Sequence, residues 1–264
     1  MIDTFCLATV QAPFVAGAVS DNLDRMEAEI ERAVANAPEA QLVLLPELAV
    51  TGFLLDQRLG EVAQLVDGEH YRRMAKLASA LHLHLAYGYV ERGADGSLYD
   101  SLILLDDRGE ICGNYRKIHL TNREQDYFKP GEKIVSASTR LGRIGLMICW
   151  DLAFPELSRK LALDGCKLLL APCAWERPYE QALSRFACAR AIDNGVYLAL
   201  SNSNGQGANL TFFGQSALLD PTGEAIAILG DQDGAVCAEV DYRRQTGLRR
   251  EFYSMLDELR SDLY

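Results

Sequence analysis

The sequence predicts a single α/β domain, on three observations. Strand-like and helix-like segments alternate along most of the 264 residues, which is typical of α/β folds. No stretch rich in Pro, Gly or Ser divides the chain, and one domain of this length is common. Hydrophobic residues make up 49% and charged residues 24% of the chain, as in globular domains, so disordered and fibrous proteins are excluded.

The first half contains the clearest element signals. Residues 5–11 predict a strand, and Ser20 offers an N-cap for a helix that ends at Pro38. The apolar run 42–45 favours a strand buried on both faces. Apolar residues at helical spacing predict a second helix over 69–81. Further strands are predicted over about 83–90, 101–106, 110–117, 133–140 and 143–149.

The second half continues the alternation. Helices are predicted over 154–163 and 178–194. Strands are predicted over about 167–171, 196–201, 214–219, 224–229 and 234–240, and a charged, partly helical tail follows.

One short pattern occurs in both halves. Residues 104–110 and 218–224 share the sequence LLDxxGE, which predicts a strand, a tight turn with Gly at a position that favours positive φ, and a return strand. Two such hairpins would suit two similar sheets packed face to face. The pattern is also simply favourable hairpin chemistry, and the sequence leaves both interpretations open.

Charge and cysteine usage exclude several classes. Lys and Arg total 26 against 37 Asp and Glu, and a net charge of −11 argues against nucleic-acid and anionic-membrane partners. No apolar run approaches the length of a membrane span, so we expect a cytoplasmic protein. The seven cysteines contain no CxxC pair, and His82 and His84 lack a third ligand. We therefore predict no disulfide framework, no metal and no cofactor.

Three segments carry residues with possible chemistry. An apolar strand runs into Cys149, and a rigid strand-to-helix turn there could present a nucleophile; most free cysteines, however, are small buried hydrophobes. Glu47 follows the strand 42–45, a suitable place for a buried general base, although an acid there is more often a cap or an ion-pair partner. Lys117 ends the strand 110–117 and could direct a positive charge into a site or lie in solvent.

Taken together, these segments resemble the nitrilase, or carbon–nitrogen hydrolase, superfamily. The resemblance rests on Leu45-Pro46-Glu47-Leu48, on Tyr115-Arg116-Lys117-Ile118-His119-Leu120, and on Gly145-Leu146-Met147-Ile148-Cys149-Trp150-Asp151. The segments occur in the order and approximate spacing of that family. A weaker resemblance continues to Asp220-Pro221-Thr222-Gly223, so nearly the whole chain is covered.

The resemblance implies a four-layer αββα sandwich and a catalytic triad of Glu47, Lys117 and Cys149. It also implies a second glutamate in the loop after the lysine strand, where Glu124 is the best match and Asp126 the alternative. A papain-like pair of Cys149 with His119 is a further possibility, but the local signatures of that family are absent.

The function implied is that of a thiol amidohydrolase acting on a small carboxamide. Hydrolysis of an N-carbamoyl compound is the nearest alternative and nitrile hydrolysis the next, because nitrilases more often carry Glu at the position of Asp151. A non-catalytic metabolite-binding protein on the same fold would be a different class. The expected specificity loops are 48–57, 121–131, 173–180 and 202–213, and the predicted substrate-binding residues are Phe53, Tyr127, Trp150, Trp175 and Asn202.

Family members commonly form homodimers that pair helical faces and exchange C-terminal tails. Here the tail, about 241–264, combines charges with an apolar stripe of Leu248, Phe252, Met255, Leu256 and Leu259. The stripe could pack on a partner or on the domain's own core, and we expect a homodimer.

Overall fold

The first half of the chain forms five strands and three helices, and the last long strand of the chain joins their sheet. The computed structural model describes residues 2–260 and 262–263. The first elements are β1 (Thr4–Gln11), α1 (Val19–Asn36), β2 (Ala40–Leu44), α2 (Leu59–Val62), α3 (Glu69–Leu81), β3 (His84–Arg92), β4 (Leu98–Leu105) and β5 (Ile111–Arg116).

The second half supplies the remaining elements. They are β6 (Ser136–Thr139), β7 (Gly142–Leu146), a 3-10 helix (Cys149–Ala153), α4 (Pro155–Leu163), β8 (Leu168–Cys173), α5 (Glu180–Ile192), β9 (Tyr197–Asn202), β10 (Asn204–Gly207), β11 (Leu210–Phe213), β12 (Ala217–Leu219), β13 (Ala225–Ile228), β14 (Gly234–Asp241) and α6 (Tyr242–Glu251).

Two six-stranded sheets form the centre of the molecule. Sheet I has the order β14-β1-β2-β3-β4-β5 and sheet II the order β13-β12-β9-β8-β7-β6. In each sheet three parallel strands, β1-β2-β3 or β7-β8-β9, are followed by an antiparallel hairpin, β4-β5 or β12-β13. The two halves of the chain therefore build sheets of the same design.

The sheets pack face to face, and helices cover their outer faces. Alternate residues of β1 separate into two clusters: Phe5 and Leu7 join the core shared with sheet II, whereas Ala8 and Val10 join the core beneath α1 and α3. Helices α4 and α5 pack on sheet II through apolar residues such as Leu157, Leu161, Leu183 and Ala187. The αββα sandwich expected from the sequence is confirmed.

The LLDxxGE segments are equivalent hairpins, one in each sheet. Asp106 Oδ1 accepts hydrogen bonds from the backbone N–H groups of Arg108 and Glu110, and Asp220 Oδ1 does so from Thr222 and Glu224. The turn glycines have φ of 82° and 84°, and both hairpins contain a register shift two residues before the aspartate. The two-sheet interpretation of this repeat is therefore correct.

Some element boundaries differ from the sequence-based expectations. Helix α1 begins at Val19 with Ala18 at its N-cap, so Ser20 is not the cap. The expected strand 143–149 ends at Leu146, because Cys149 begins a 3-10 helix. The hairpin of β10 and β11 was not expected from the polar, glycine-containing segment 204–207. His82 is the left-handed C-cap of α3 and is not part of the strand that contains His84.

Two further expectations concern membranes and the C-terminus. Within the described ranges, no helix has both the length and the apolar character needed to cross a bilayer. The tail is partly helical, as expected, and Leu256 packs against the domain's own core. Phe252, in contrast, is 79% exposed. Ser261 and Tyr264 of the predicted tail lie outside the described residues.

We propose that the exposed part of this tail contacts a second copy of the chain, and we expect a homodimer in solution. Light scattering at micromolar concentration should give the dimer mass, and Phe252→Glu should shift it towards the monomer, because the variant introduces a charge into an apolar contact. Leu65→Glu, at an apolar residue that is 55% exposed elsewhere, serves as the control. A monomeric wild-type protein would contradict the prediction.

Candidate active site

Three strand ends bring the predicted catalytic residues to one edge of the sandwich. Glu47 follows β2, Lys117 follows β5, and Cys149 lies three residues after β7. The side chains of Glu47 and Lys117 are fully buried, and Cys149 is 7% exposed. Because β4 runs antiparallel to β3 and β5, its first residues lie at the same edge. The structure thus places all three predicted residues in one buried region.

The Lys117 ammonium lies at the centre of three carboxyl groups. Its Nζ is 2.6 Å from Glu47 Oε1 and 2.7 Å from Glu124 Oε1, and both are hydrogen bonds. It is also 3.3 Å from Asp100 Oδ2. Oxygens of the three carboxyl groups lie within 4.8 Å of one another, a spacing that a metal ion could use. The ammonium already occupies that position, so the chain supplies its own cation.

Electrostatics keep this lysine charged. Burial acts to lower the pKa of Lys117, but the negative charges of Glu124 and Glu47 outweigh it and raise the pKa well above its ordinary value. The positive charge is therefore present throughout the physiological pH range.

The surroundings of Cys149 favour the protonated thiol. Burial raises the pKa of Cys149 well above its ordinary value, and contact with Cys173 and the charge of Glu47 raise it further, against the opposing charge of Lys117. A reaction that uses this sulfur as a nucleophile therefore needs a base to remove its proton.

The backbone around Cys149 makes a sharp turn. Ile148 is still extended, whereas Cys149 has a φ of 47°, in the left-handed region that non-glycine residues rarely adopt. Such strained residues are found preferentially at functional sites, where the surrounding structure enforces them. After this turn, the sulfur lies close enough to Glu47 and Lys117 for their charges to act on its pKa.

Asp151 holds this turn and joins it to the lysine strand. Its buried carboxylate accepts hydrogen bonds from the Ile148 N–H (2.8 Å), the Tyr115 hydroxyl (2.7 Å) and the His119 N–H (3.1 Å). Asp151 therefore links two of the motifs recognised in the sequence, the lysine motif (115–120) and the cysteine motif (145–151), by hydrogen bonds. Asp151 was part of a predicted motif, but its role as this link was not anticipated.

His119 is part of the same hydrogen-bonded link. Its Nδ1 lies 2.8 Å from Asp151 Oδ1, and its ring stacks on Phe154 with the planes 7° apart. The imidazole is thus held by Asp151 and Phe154, an arrangement that favours a structural role over a papain-like pairing with Cys149.

Glu47 is positioned by a tight backbone approach. Leu48 has a φ of 53°, and the segment after β2 stays bound to β3 through Gly88 N–H to Pro46 O and Val50 N–H to Gly88 O. A Cβ atom on Gly88 would lie 2.3 Å from Leu48 N and 2.7 Å from Glu47 Cα. Only glycine fits there, because no rearranged side chain could relieve contacts with backbone atoms.

The structure distinguishes between the two acids of the loop after β5. Glu124 is buried and bridges Lys117 Nζ and the Thr121 N–H, which it accepts at 2.8 Å. Asp126 is exposed. Glu124 therefore lies in the cluster around Lys117, and Asp126 does not.

The predicted substrate-binding residues fall into separate environments. Trp150 and Trp175 pack against each other with ring centroids 5.7 Å apart, and Phe53 packs edge-on against Phe212. Tyr127 is exposed. Asn202 binds the backbone instead, since its amide oxygen accepts from the Trp175 N–H and its amide nitrogen donates to Gly214 O. Substrate contact by these five residues stays a prediction.

Three of the four expected specificity loops meet. Phe212, in loop 202–213, touches Phe53 of loop 48–57 and pairs through its backbone with Glu176 of loop 173–180. These loops can therefore shape a single entrance.

Comparison with known proteins identifies the family. A sequence model of the carbon-nitrogen hydrolase family matches residues 6–250. The chain belongs to this family. It is 34% identical to a nitrilase-named protein of Schizosaccharomyces pombe over 98% of this chain and 96% of the relative. It is 29% identical to a 2-oxoglutaramate amidase of Bacillus subtilis, with 98% of each chain covered.

Solved structures agree with this assignment. A carbon-nitrogen hydrolase from Helicobacter pylori superposes with a TM-score of 0.93 at 26% identity, covering 99% of this chain and 97% of the other. An amidase from Nesterenkonia superposes with a TM-score of 0.86 at 26% identity, covering 100% and 96%. The predicted membership of the nitrilase superfamily is confirmed, and this carbon-nitrogen hydrolase is an enzyme that acts on C–N bonds.

Gly88→Ala should reduce the activity of this carbon-nitrogen hydrolase. The added methyl group pushes directly on the backbone at Glu47, for which the sequence predicts a catalytic role, and a displacement near 1 Å at a reacting group costs about a hundredfold in rate. Gly60→Ala is the matched control, because nothing lies within 4 Å of a Cβ atom there. Turnover and thermal unfolding should be measured together; a fully active Gly88→Ala enzyme would show that the position of Glu47 is not critical.

Proposed function

We propose that this protein is a cysteine-dependent amidohydrolase that cleaves the C–N bond of a small carboxamide through a thioester. The observation that carries this proposal is the geometry around Lys117, whose charge is hydrogen-bonded to Glu47 and Glu124 and close enough to Cys149 for the lysine and the thiol to influence each other's pKa.

In the first step, Glu47 takes the thiol proton of Cys149 while the sulfur bonds to the amide carbonyl carbon. The carbonyl oxygen becomes an oxyanion, which the Lys117 ammonium stabilises. The Trp150 N–H is a second candidate donor, because it lies in the first turn of the 3-10 helix, where N–H groups have no partner within the helix.

In the second step, Glu47 returns the proton to the amide nitrogen, the C–N bond breaks and ammonia leaves. The acyl group remains on Cys149 as a thioester. Glu47 then takes a proton from water as the water oxygen attacks the thioester carbonyl. Collapse of this second intermediate breaks the C–S bond, releases the carboxylic acid and restores the thiol with the proton from Glu47.

Two relatives support an amide substrate. The Nesterenkonia amidase has been solved with the acetamide moiety of fluoroacetamide attached to its active-site cysteine, and a second variant has been solved with butyramide. The Bacillus subtilis relative is a 2-oxoglutaramate amidase. Ammonia release across a panel of aliphatic amides, N-carbamoyl compounds and nitriles should give the highest kcat/KM on an amide. A highest value on either other class would replace the substrate assignment.

Cys149→Ala should abolish turnover and leave the fold intact. Removal of such a nucleophile has cost roughly a millionfold in other hydrolases, so no activity above background is expected. Intact-mass analysis of wild type with a slow amide should show an acyl adduct that maps to Cys149. Cys112→Ala, at a half-buried cysteine of β5, is the control. An adduct on a different cysteine, or turnover by Cys149→Ala, would refute the mechanism.

Lys117→Met should slow acylation by at least a hundredfold, the cost that typically follows loss of one oxyanion donor. Lys117→Arg should not restore the rate, because the planar guanidinium is larger and spreads its charge. Both rates should be measured in single turnover, with Lys133→Met, at an exposed lysine, as the control. Acylation by Lys117→Met within about tenfold of wild type, worth ~1.4 kcal/mol, would rule out Lys117 as the oxyanion residue. Removal of the cation also leaves carboxylates buried without their partner, which lowers the stability of the fold. Thermal unfolding measures this loss of stability separately from the change in the acylation rate.

A further inference from the structure

A third carboxyl group, that of Asp100, lies in the cluster without a function in the reaction described above. Asp100 is 1% exposed and its side chain is fully buried. It lies directly across the β4–β5 hairpin from Lys117, whose N–H donates to the Asp100 backbone carbonyl at 2.8 Å. Oxygens of its carboxyl group and of the Glu47 carboxyl group lie within 4.8 Å of each other.

Three oxygens of these two carboxyl groups lack donors. Glu47 Oε2 and both side-chain oxygens of Asp100 are buried, and no donor among residues 2–260 and 262–263 makes a hydrogen bond to them. Lys117 Nζ is 3.3 Å from Asp100 Oδ2, but it does not have the alignment of a hydrogen bond. Two carboxylates cannot satisfy each other, because both are only acceptors, whereas one shared proton would satisfy both.

The charges lead to the same conclusion. Three ionised carboxylates around one ammonium would leave two negative charges unbalanced in a buried site. Burial, followed by the charge of Glu47, raises the pKa of Asp100 well above its ordinary value, against the opposing charge of Lys117. Such carboxyl pairs hold a proton between them when like charges are forced together.

We propose that Asp100 is a positioning residue that stays a neutral carboxylic acid and donates a hydrogen bond to Glu47 Oε2. This bond and the ammonium together hold the two oxygens of Glu47, one on each side. The carboxylate is then fixed in the plane from which it can take the Cys149 proton. The proposal deepens the proposed function, because it rests on Glu47 as the general base.

The competing interpretation is that Asp100 is ionised and serves as another counter-ion of Lys117. The two interpretations predict opposite effects on the acidic limb of the kcat/KM profile. Loss of a donated hydrogen bond disfavours ionised Glu47 and moves the limb to higher pH. Loss of a neighbouring negative charge favours ionised Glu47 and moves the limb to lower pH.

The first measurement is infrared difference spectroscopy of wild type against Asp100→Asn. We expect the variant to lack one carbonyl stretching band of a protonated carboxylic acid. Asp220→Asn is the control, because Asp220 is equally buried but accepts hydrogen bonds from Arg244 and Thr222. The band does not depend on turnover, so the comparison is repeated in the Cys149→Ala background. The infrared result therefore tests the protonation of Asp100 even if the proposed catalytic function is wrong. Spectra of wild type and Asp100→Asn without this difference would overturn the proposal.

The second measurement is the pH dependence of kcat/KM for an amide. Asp100→Asn should stay within about tenfold of wild type, because its amide nitrogen can still donate to Glu47. Asp100→Leu, which has a similar shape and no donor, should lose about a hundredfold and shift the acidic limb to higher pH. A limb that moves to lower pH in both variants would overturn the proposal. If Asp100→Leu does not fold, the pH profile of Asp100→Asn still distinguishes the two interpretations. If Asp100 is ionised in the wild type, the acidic limb of the Asp100→Asn profile must move to lower pH.

Discussion

The buried ammonium of Lys117 is the interaction on which the rest of the site depends. An isolated ion in a protein interior costs several kcal/mol, and the attraction of partner charges offsets this only when their geometry is good. Here the two counter-ions, Glu47 and Glu124, come from the segment after β2 and the loop after β5, and Asp100 approaches from the start of β4. Because the lysine must be satisfied, each of these segments is held in place. The same contacts that make the charge tolerable thus place Glu47 and Glu124 around it.

A second buried charge performs the equivalent task between the two halves of the chain. The Asp151 carboxylate takes its donors from the lysine strand on one side and from the cysteine turn on the other. The two sheets could slide relative to each other if apolar packing alone held them, because apolar contacts are not directional. Hydrogen bonds to a buried carboxylate are directional and costly to leave unmade. Asp151 therefore fixes the sulfur relative to the ammonium.

Much of this arrangement could be predicted from the sequence, because local patterns determine it. Helix α3 was predicted at its observed bounds from apolar spacing, and the LLDxxGE turns encode hairpins through one aspartate and one glycine each. The triad residues all follow strands, and parallel strands bring their carboxyl ends to one edge. The family resemblance added Glu124, which short-range patterns alone would not have separated from Asp126.

What could not be predicted depends on register and on backbone strain. Asp100 lies opposite Lys117 only because the β4–β5 hairpin contains a bulge between Leu104 and Leu105. If the strand pairing next to the turn continued without that bulge, Lys117 would pair with Tyr99. The sequence therefore contains no signal that identifies Asp100. The strand before Cys149 was also expected to extend to the cysteine, because a left-handed φ at a non-glycine residue has no local signal in the sequence. Tertiary hydrogen bonds to Asp151 enforce it.

The site therefore combines features that each oppose folding: a buried cation, three buried carboxyl groups, a strained cysteine and a backbone contact that only glycine permits. Local rules are broken together in this way mainly where function demands it, since each violation must be stabilised by contacts elsewhere. The stabilising contacts here are the regular ones, two matched sheets with apolar residues on both faces. Because the second sheet repeats the design of the first, each half presents the carboxyl ends of its parallel strands at a defined edge. Within sheet I, β2 and β5 run in the same direction, so residues separated by 70 positions, Glu47 and Lys117, follow strand ends at one edge and form a 2.6 Å hydrogen bond in a buried site.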